Sequence, residues 1–240
     1  MRVALTPIYI LHIRPYRDSS AILECLSSEY GWVSLLARGA KRPRSRMIGH
    51  IQPFIPLQCG WVGRSELKTL TQIEAENLYP RLTGDKIALG LYLNEVILRL
   101  LQRQDPHPQL FYAYDKAIRA LSIEACSKQA QLILRDFELC LLAELGYGLD
   151  LTHDGRTKDK IVPELLYSYD PMVGIYEVSA MLSSTNKVAV SGASLIAFHH
   201  REITSDTQLR EIKNLMRSIL SHYLGDKPLH SRKLFQTVKE

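Results

Sequence analysis

Five basic side chains crowd into one short stretch of this 240-residue chain: Arg38, Lys41, Arg42, Arg44 and Arg46, within "LLARGAKRPRSRMIGHIQPF" (residues 35–54), which holds no acidic residue. Cations packed this closely repel one another unless a polyanion neutralises them, so the stretch has the chemistry of a phosphate-backbone contact. A solvated loop kept soluble by lysine and arginine is the alternative. Arg64 and Lys68, in and after "GWVGRSE", would extend the patch. A second basic stripe lies in residues 206–224, where Arg210, Lys213 and Arg217 recur at steps of three and four, with Lys227, Arg232 and Lys233 beyond. An ordinary solvated helix surface accounts for that stripe equally well. Trp32, Phe54 and Trp61 could stack bases beside the first patch, or could pack in a core or hairpin.

Signals for catalysis are weak. The chain has no GxxxxGK[ST], GxGxxG or HExxH pattern and no deaminase-type HxE followed by PCxxC. His199 and His200 are adjacent, so on a helix they point about 100° apart and do not easily share a metal; a charge interaction at a helix C-terminus suits them better. His153 and Asp154 lie in a polar loop without a carboxylate cluster, and Glu95, Glu138 and Glu144 read as surface partners on helices. Cys25, Cys59, Cys126 and Cys140 are too widely spaced for a CxxC zinc site and suit buried thiols in a reducing compartment.

The elements that must position these residues follow from hydrophobic periodicity. Up to about residue 78, "IYILHIR", "AILECLS", "WVSLLAR", "FIPLQCGWV" and "ELKTLTQIEAE" read as five short strands broken by Pro, Gly, Ser and Asp, which suggests a small barrel of the OB type. The basic stretch then falls in the loop between the third and fourth strands. From Asp85 the period changes to three and four, predicting helices over 85–104, 109–122, 127–145, 191–200 and 206–224, and a short one near 229–237. Residues 150–190 are less regular, with a hairpin expected around Pro171 and Gly174. The expected architecture is α+β and multidomain: a five-stranded OB-type β-barrel over residues 1–80, then a mainly α-helical domain over 81–240 with a small irregular or β insertion.

Composition sets the remaining bounds. A hydrophobic content of 46% supports real cores, and the net charge of +5 is modest, so its distribution carries the electrostatic argument. The N-terminal apolar stretch is too short and too interrupted for a signal peptide, and no run reaches the length of a membrane span. A cytoplasmic protein is expected.

The blocks "RGAKRPRS", "HIQPFIPLQ", "GRSELKTLTQIEAE", "GLYLNEVILRLL", "LFYAYDKAI", "RDFELCLLAELGYGLDL" and "YLGDKPLHSRKLF", in this order over about residues 8–237, resemble the RecO family of bacterial recombination mediators. The resemblance implies an N-terminal OB domain, a helical body and no catalytic reaction. It implies binding to single- and double-stranded DNA without sequence specificity, annealing of complementary strands, and partnership with RecR. It also implies help for RecA in replacing single-stranded DNA-binding protein (SSB) on gapped DNA, and a nucleoid-associated place in the cytoplasm. By position, Arg38, Lys41, Arg42, Arg44, Arg46, Arg64 and Lys68 match the family's basic OB surface. The family docks the acidic, phenylalanine-ended SSB tail on its helical domain. Here Arg135, Leu139 and Leu142 are expected on a face distinct from the buried Leu134, Phe137 and Leu141; Arg135 could instead pair with Glu138 or Asp136. Many members carry a four-cysteine zinc site after "GYGL", but "DLTHDGRTKDKIVPELLYSYDPMV" has no cysteine, so no zinc and no cofactor are expected. A scaffold whose main partner is the SSB tail is the alternative function, and a nuclease is a more distant one that lacks a carboxylate cluster.

Overall fold

The computed structural model describes residues 1–240 apart from 44, 46, 48, 76–78, 80, 125–126, 179–187, 226, 232–233 and 235–240. Five strands come first: β1 (Arg2–Tyr16), β2 (Ser20–Ser27), β3 (Gly31–Ala37), β4 (Pro56–Val62) and β5 (Leu67–Ala75). They close into a barrel in the order β1-β2-β3-β5-β4. Closure depends on β1, whose 15 residues pair antiparallel with β4 through Arg2–Tyr9 and with β2 through Ile8–Tyr16. Register shifts between Val3 and Thr6 and between Ile10 and His12 bend the strand so that it can serve both neighbours. A short parallel pairing of β3 with β5 completes the ring.

Alternation along the strands fills the barrel with Ile8, Ile10, Leu23, Cys25, Val33, Leu35, Leu57, Cys59, Trp61 and Leu70. On its outer side β1 meets two helices, α1 (Lys86–Leu100) through Leu11 and α2 (Pro108–Ile123) through Tyr9. The Tyr9 ring lies 5.7 Å from Phe111 and 5.0 Å from Tyr114, and its hydroxyl donates to Asp115. Asn94 of α1 donates to the Leu11 carbonyl at 2.8 Å and accepts from the Tyr114 hydroxyl at 2.6 Å, so this buried contact is fully hydrogen-bonded. Met1–Ala125 and Pro228–Glu240 together form one compact unit. Within it Glu95, expected as a surface partner, instead accepts from the backbone N–H groups of His230 (2.7 Å) and Ser231 (2.8 Å) and from the Ser231 hydroxyl (2.6 Å).

Cys126–Lys227 forms the second compact unit. It contains α3 (Ser127–Glu144), the strands β6 (Leu166–Asp170), β7 (Gly174–Glu177) and β8 (Val190–Ser191), and the helices α4 (Gly192–His200) and α5 (Asp206–Leu224). The strands form one sheet in the order β7-β6-β8. The hairpin expected around Pro171 and Gly174 is β6–β7; β8 gave no sequence signal because it has two residues and exists only through its pairing with β6. α5 opens on a capping box in which Ser205 and Gln208 satisfy each other's backbone N–H groups. It buries Leu209, Ile212, Leu215, Met216, Ile219 and Leu220.

The irregular segment before β6 is organised by one carboxylate. Asp154 accepts from the backbone N–H groups of Arg156, Thr157 and Glu177, and the Arg156 guanidinium lies 3.8 Å from the Tyr176 ring centroid. Gly155 is required here, since a Cβ would sit 2.0 Å from the Val173 carbonyl oxygen. Of the last expected helix, Ser231 and Leu234 are helical and most of the rest lies outside the described residues.

Candidate nucleic-acid interface

The basic stretch leaves the barrel directly after β3, as the alternation of "WVSLLAR" requires. Arg38, Lys41 and Arg42 are exposed and, among the described residues, make no ion pair; Arg44 and Arg46 lie outside the described residues. The loop is fastened by backbone bonds from Lys41 N to Ser19 O (2.9 Å), Arg42 N to Gly39 O (3.1 Å) and Ser45 N to Arg42 O (2.8 Å). The first of these holds the loop against the β1–β2 turn. It therefore brings Arg17, exposed and 5.3 Å from the Tyr16 ring, to the same end of the barrel. Asp18, exposed in that turn, is the acid that accompanies them.

The two cations expected to extend this patch do not. Lys68 is an inward-facing neighbour of Leu35 in the β3–β5 register and is buried, its Nζ without a hydrogen-bond partner among the described residues. Burial pulls its amine below the ordinary lysine value, with Arg103 acting in the same direction and Glu66 against it. Arg64 is exposed, but the parallel register sets the β4–β5 turn beside the start of β3, whereas Arg38 follows its end. The seven residues of β3 separate them by roughly 20 Å.

A cluster without any local signal in the sequence occupies the outer face between these ends. Glu24 of β2, its side chain 5% exposed, accepts from Arg14 (2.6 Å), Trp32 Nε1 (2.8 Å), Ser34 (2.6 Å) and Arg103 (3.1 Å). Burial alone would raise its pKa; the hydrogen bonds from Ser34, Trp32, Arg103 and Arg14 outweigh that and bring it to about 2. Two arginines balanced against one fixed carboxylate leave the cluster net positive. Arg103 also covers the Trp32 ring, its guanidinium 4.0 Å from the centroid.

Of the three aromatic candidates, Trp61 is in the barrel core. Phe54 packs on α1, where its ring atoms stand 2.7 Å from the position a Cβ on Gly90 would take. Trp32 is half-buried on the outer face, in the Glu24 cluster; Phe54 is half-buried as well but packs on α1. Sequence reading passed over Arg14 and Arg103 because isolated arginines carry no pattern; the first is three strand positions before a turn and the second is 79 residues from the carboxylate it meets.

In the second unit Arg210, Lys213 and Arg217 are exposed along α5, away from its buried face. The face expected for Arg135, Leu139 and Leu142 requires correction. Leu142 is fully buried, Leu139 is half-buried, and Arg135 is buried and paired with Glu138, which is itself buried and not a surface partner. Three and seven residues after Arg135 fall on the packed side of α3, so the stripe is wider than the sequence reading made it.

No helix among the described residues is long and apolar enough to cross a membrane. Residues 1–79 match the family model "Recombination protein O N terminal" and residues 81–233 match "Recombination protein O C terminal". The chain is 43% identical over 239 residues to the DNA repair protein RecO of Nitrosococcus oceani, covering 100% of this chain and 95% of that one. It is 37% identical over 239 residues to the RecO of Dechloromonas aromatica, with 100% and 98% covered. For the RecO of Coxiella burnetii the identity is 40% over 233 residues, with 97% and 98% covered. Two family models in succession and full-length relatives at this identity leave one conclusion: the chain belongs to the RecO family of DNA repair proteins.

Proposed function

We propose that the protein is a non-catalytic DNA-binding mediator that holds single and double strands through their phosphates, anneals complementary strands and, with RecR, helps RecA load onto SSB-coated DNA in the cytoplasm. The observation that carries this reading is the group of exposed cations, Arg38, Lys41 and Arg42 with Arg17 and Arg14, gathered at one end of the β1–β2–β3 face. Arg44 and Arg46 belong to the same proposed contact, and Arg210, Lys213 and Arg217 to a second one. The closed ring with its parallel β3–β5 pairing supports an OB-type barrel, a class that binds nucleic acids on this face. The proposed division is an OB domain of residues 1–80 and a helical domain of residues 81–240. In that division α1 and α2 belong to the helical domain while packing on the barrel. Annealing two polyanions requires cations that lower phosphate repulsion without fixing a sequence, which is what arginines on a loop supply.

The test is the salt dependence of binding to an oligonucleotide. Neutralising about five phosphates gives a log-log slope of roughly −3.5 on single strands. The triple change Arg38→Ala, Lys41→Ala, Arg42→Ala flattens it and slows annealing; an unchanged slope removes the loop from the mechanism.

A second reading, a scaffold whose main ligand is the acidic SSB tail, rests on half-buried Leu139 and on Arg135, whose Nε has no hydrogen-bond partner among the described residues. Docking there requires the Arg135–Glu138 pair to open. A tail peptide that binds tightly while bare DNA binds poorly, and whose binding Arg135→Ala abolishes, favours the scaffold.

A further inference from the structure

We infer that the Trp32–Arg103 stack is a nucleobase subsite, and that Arg103 presents the flat face on which an unpaired base rests. The inference deepens the DNA-binding reading and depends on it. Three observations combine. The guanidinium carbon lies over the indole, 4.0 Å from its centroid, and its Nη1 is held to Glu24 at 3.1 Å and to Ser34. The indole is itself held, through Nε1 to Glu24 at 2.8 Å. The backbone beneath is fastened too: Gln104 N donates to Trp32 O at 3.0 Å, and a Cβ on Gly31 would sit 2.0 Å from the Asp105 carbonyl oxygen. The connector between α1 and α2 is therefore moulded onto the start of β3.

This arrangement fixes a planar cation before any ligand arrives. Arg103 remains 32% exposed although one face is covered by Trp32, so its other side is the accessible one. Bases stack on arginine planes as they do on aromatic rings, and a plane already ordered loses little entropy on stacking. The occupant is an unpaired base, because Nη1 of Arg103 is already committed to Glu24 and Ser34 and what the side chain offers outward is the face of its plane. Arg14, bound to the same carboxylate and 54% exposed, links the subsite to the cations at the far end of β3. A strand following this face thus meets phosphate contacts at one end and a stacking surface at the other.

The experiment compares two single strands of equal length, one with bases and one abasic throughout, on the full chain and on Arg103→Lys. Lysine keeps the charge and removes the plane. The unaltered protein prefers the base-bearing strand, and Arg103→Lys cuts that preference about tenfold, the scale of one stacked base. Two results overturn the subsite: equal affinity of the unaltered protein for both strands, or a fall in both affinities by the same factor in Arg103→Lys, which is what a purely structural role produces. Failure of the unaltered protein to bind either strand in dilute buffer overturns the DNA-binding reading itself, and the subsite with it.

Discussion

Each compact unit contains an arginine–glutamate pair, and the two pairs are built for opposite ends. In the first unit Glu24 is buried, but its cations reach outward, Arg14 at 54% and Arg103 at 32% exposure. In the second, Arg135 and Glu138 sit three residues apart on α3 with side chains 8% and 0% exposed, sealed together. The same chemistry gives a fixed, solvent-facing cation in one place and a buried pair within one helix in the other. What separates them is the carboxylate's other partners: Glu24 also accepts from Trp32 and Ser34, so neither arginine has to turn inward completely to satisfy it. An arginine beside a glutamate therefore says nothing about ligand binding until the burial of both ends is known.

The largest effect that would test this contrast is in the sealed pair. Glu138→Ala strands the Arg135 charge in the interior and should cost roughly 3–5 kcal/mol of stability, read from urea unfolding. A loss below 1 kcal/mol would mean that Arg135 swings out to water and that the two pairs are alike.

Next is Glu24. Its pKa in the folded chain, about 2, lies below the ordinary 4.5, so its contribution is fully present above about pH 4.5 and disappears as the pH falls through 2. A shift of this size corresponds to about 3 kcal/mol. Glu24→Gln should lower stability by about that amount at pH 7 and remove this part of the acid sensitivity between pH 4.5 and 2. An unaltered acid-unfolding curve in the variant would show that the outward arginines, not the carboxylate, hold the cluster.

Smaller in free energy but more direct on function is the loop. Removing the cations at 38, 41 and 42 should reduce the salt slope by about 2 while changing stability by less than about 0.5 kcal/mol, since these exposed cations make no ion pair among the described residues. The smallest effect is expected on α5, where Arg210→Ala with Arg217→Ala should reduce the slope by about 1. No change there would leave that stripe a solvated helix surface, and the DNA contact would belong to the first unit.

Local periodicity made the strands and helices legible. "AILECLS" alternates and became β2; the steps of three and four from Leu89 to Leu101 became α1. The basic loop was legible for the same reason, because five cations without an acid need no partner from elsewhere in the chain to be noticed. Lys68 was misjudged, although the signal was present: it shares the parity of Leu70, and parity on a barrel strand decides inside from outside. The Glu24 cluster and the Asp154 turn were not legible, because each gathers donors far along the chain, Arg103 for one and the Glu177 amide for the other. Arg135 was ambiguous in principle: a helical wheel places it beside the buried stripe, and only the width of the neighbouring contact decides whether it is rim or interior.

Glu95 has a practical consequence for anyone dissecting the molecule. Its carboxylate, on the second-last turn of α1, takes three donors from residues 230 and 231, so the polypeptide leaves this body after residue 125 and comes home at residue 228. An excised piece ending at residue 125 would carry an anion shaped for amides it no longer owns. A defect in such a truncated fragment is evidence about the missing return segment before it is evidence about the excised helical half.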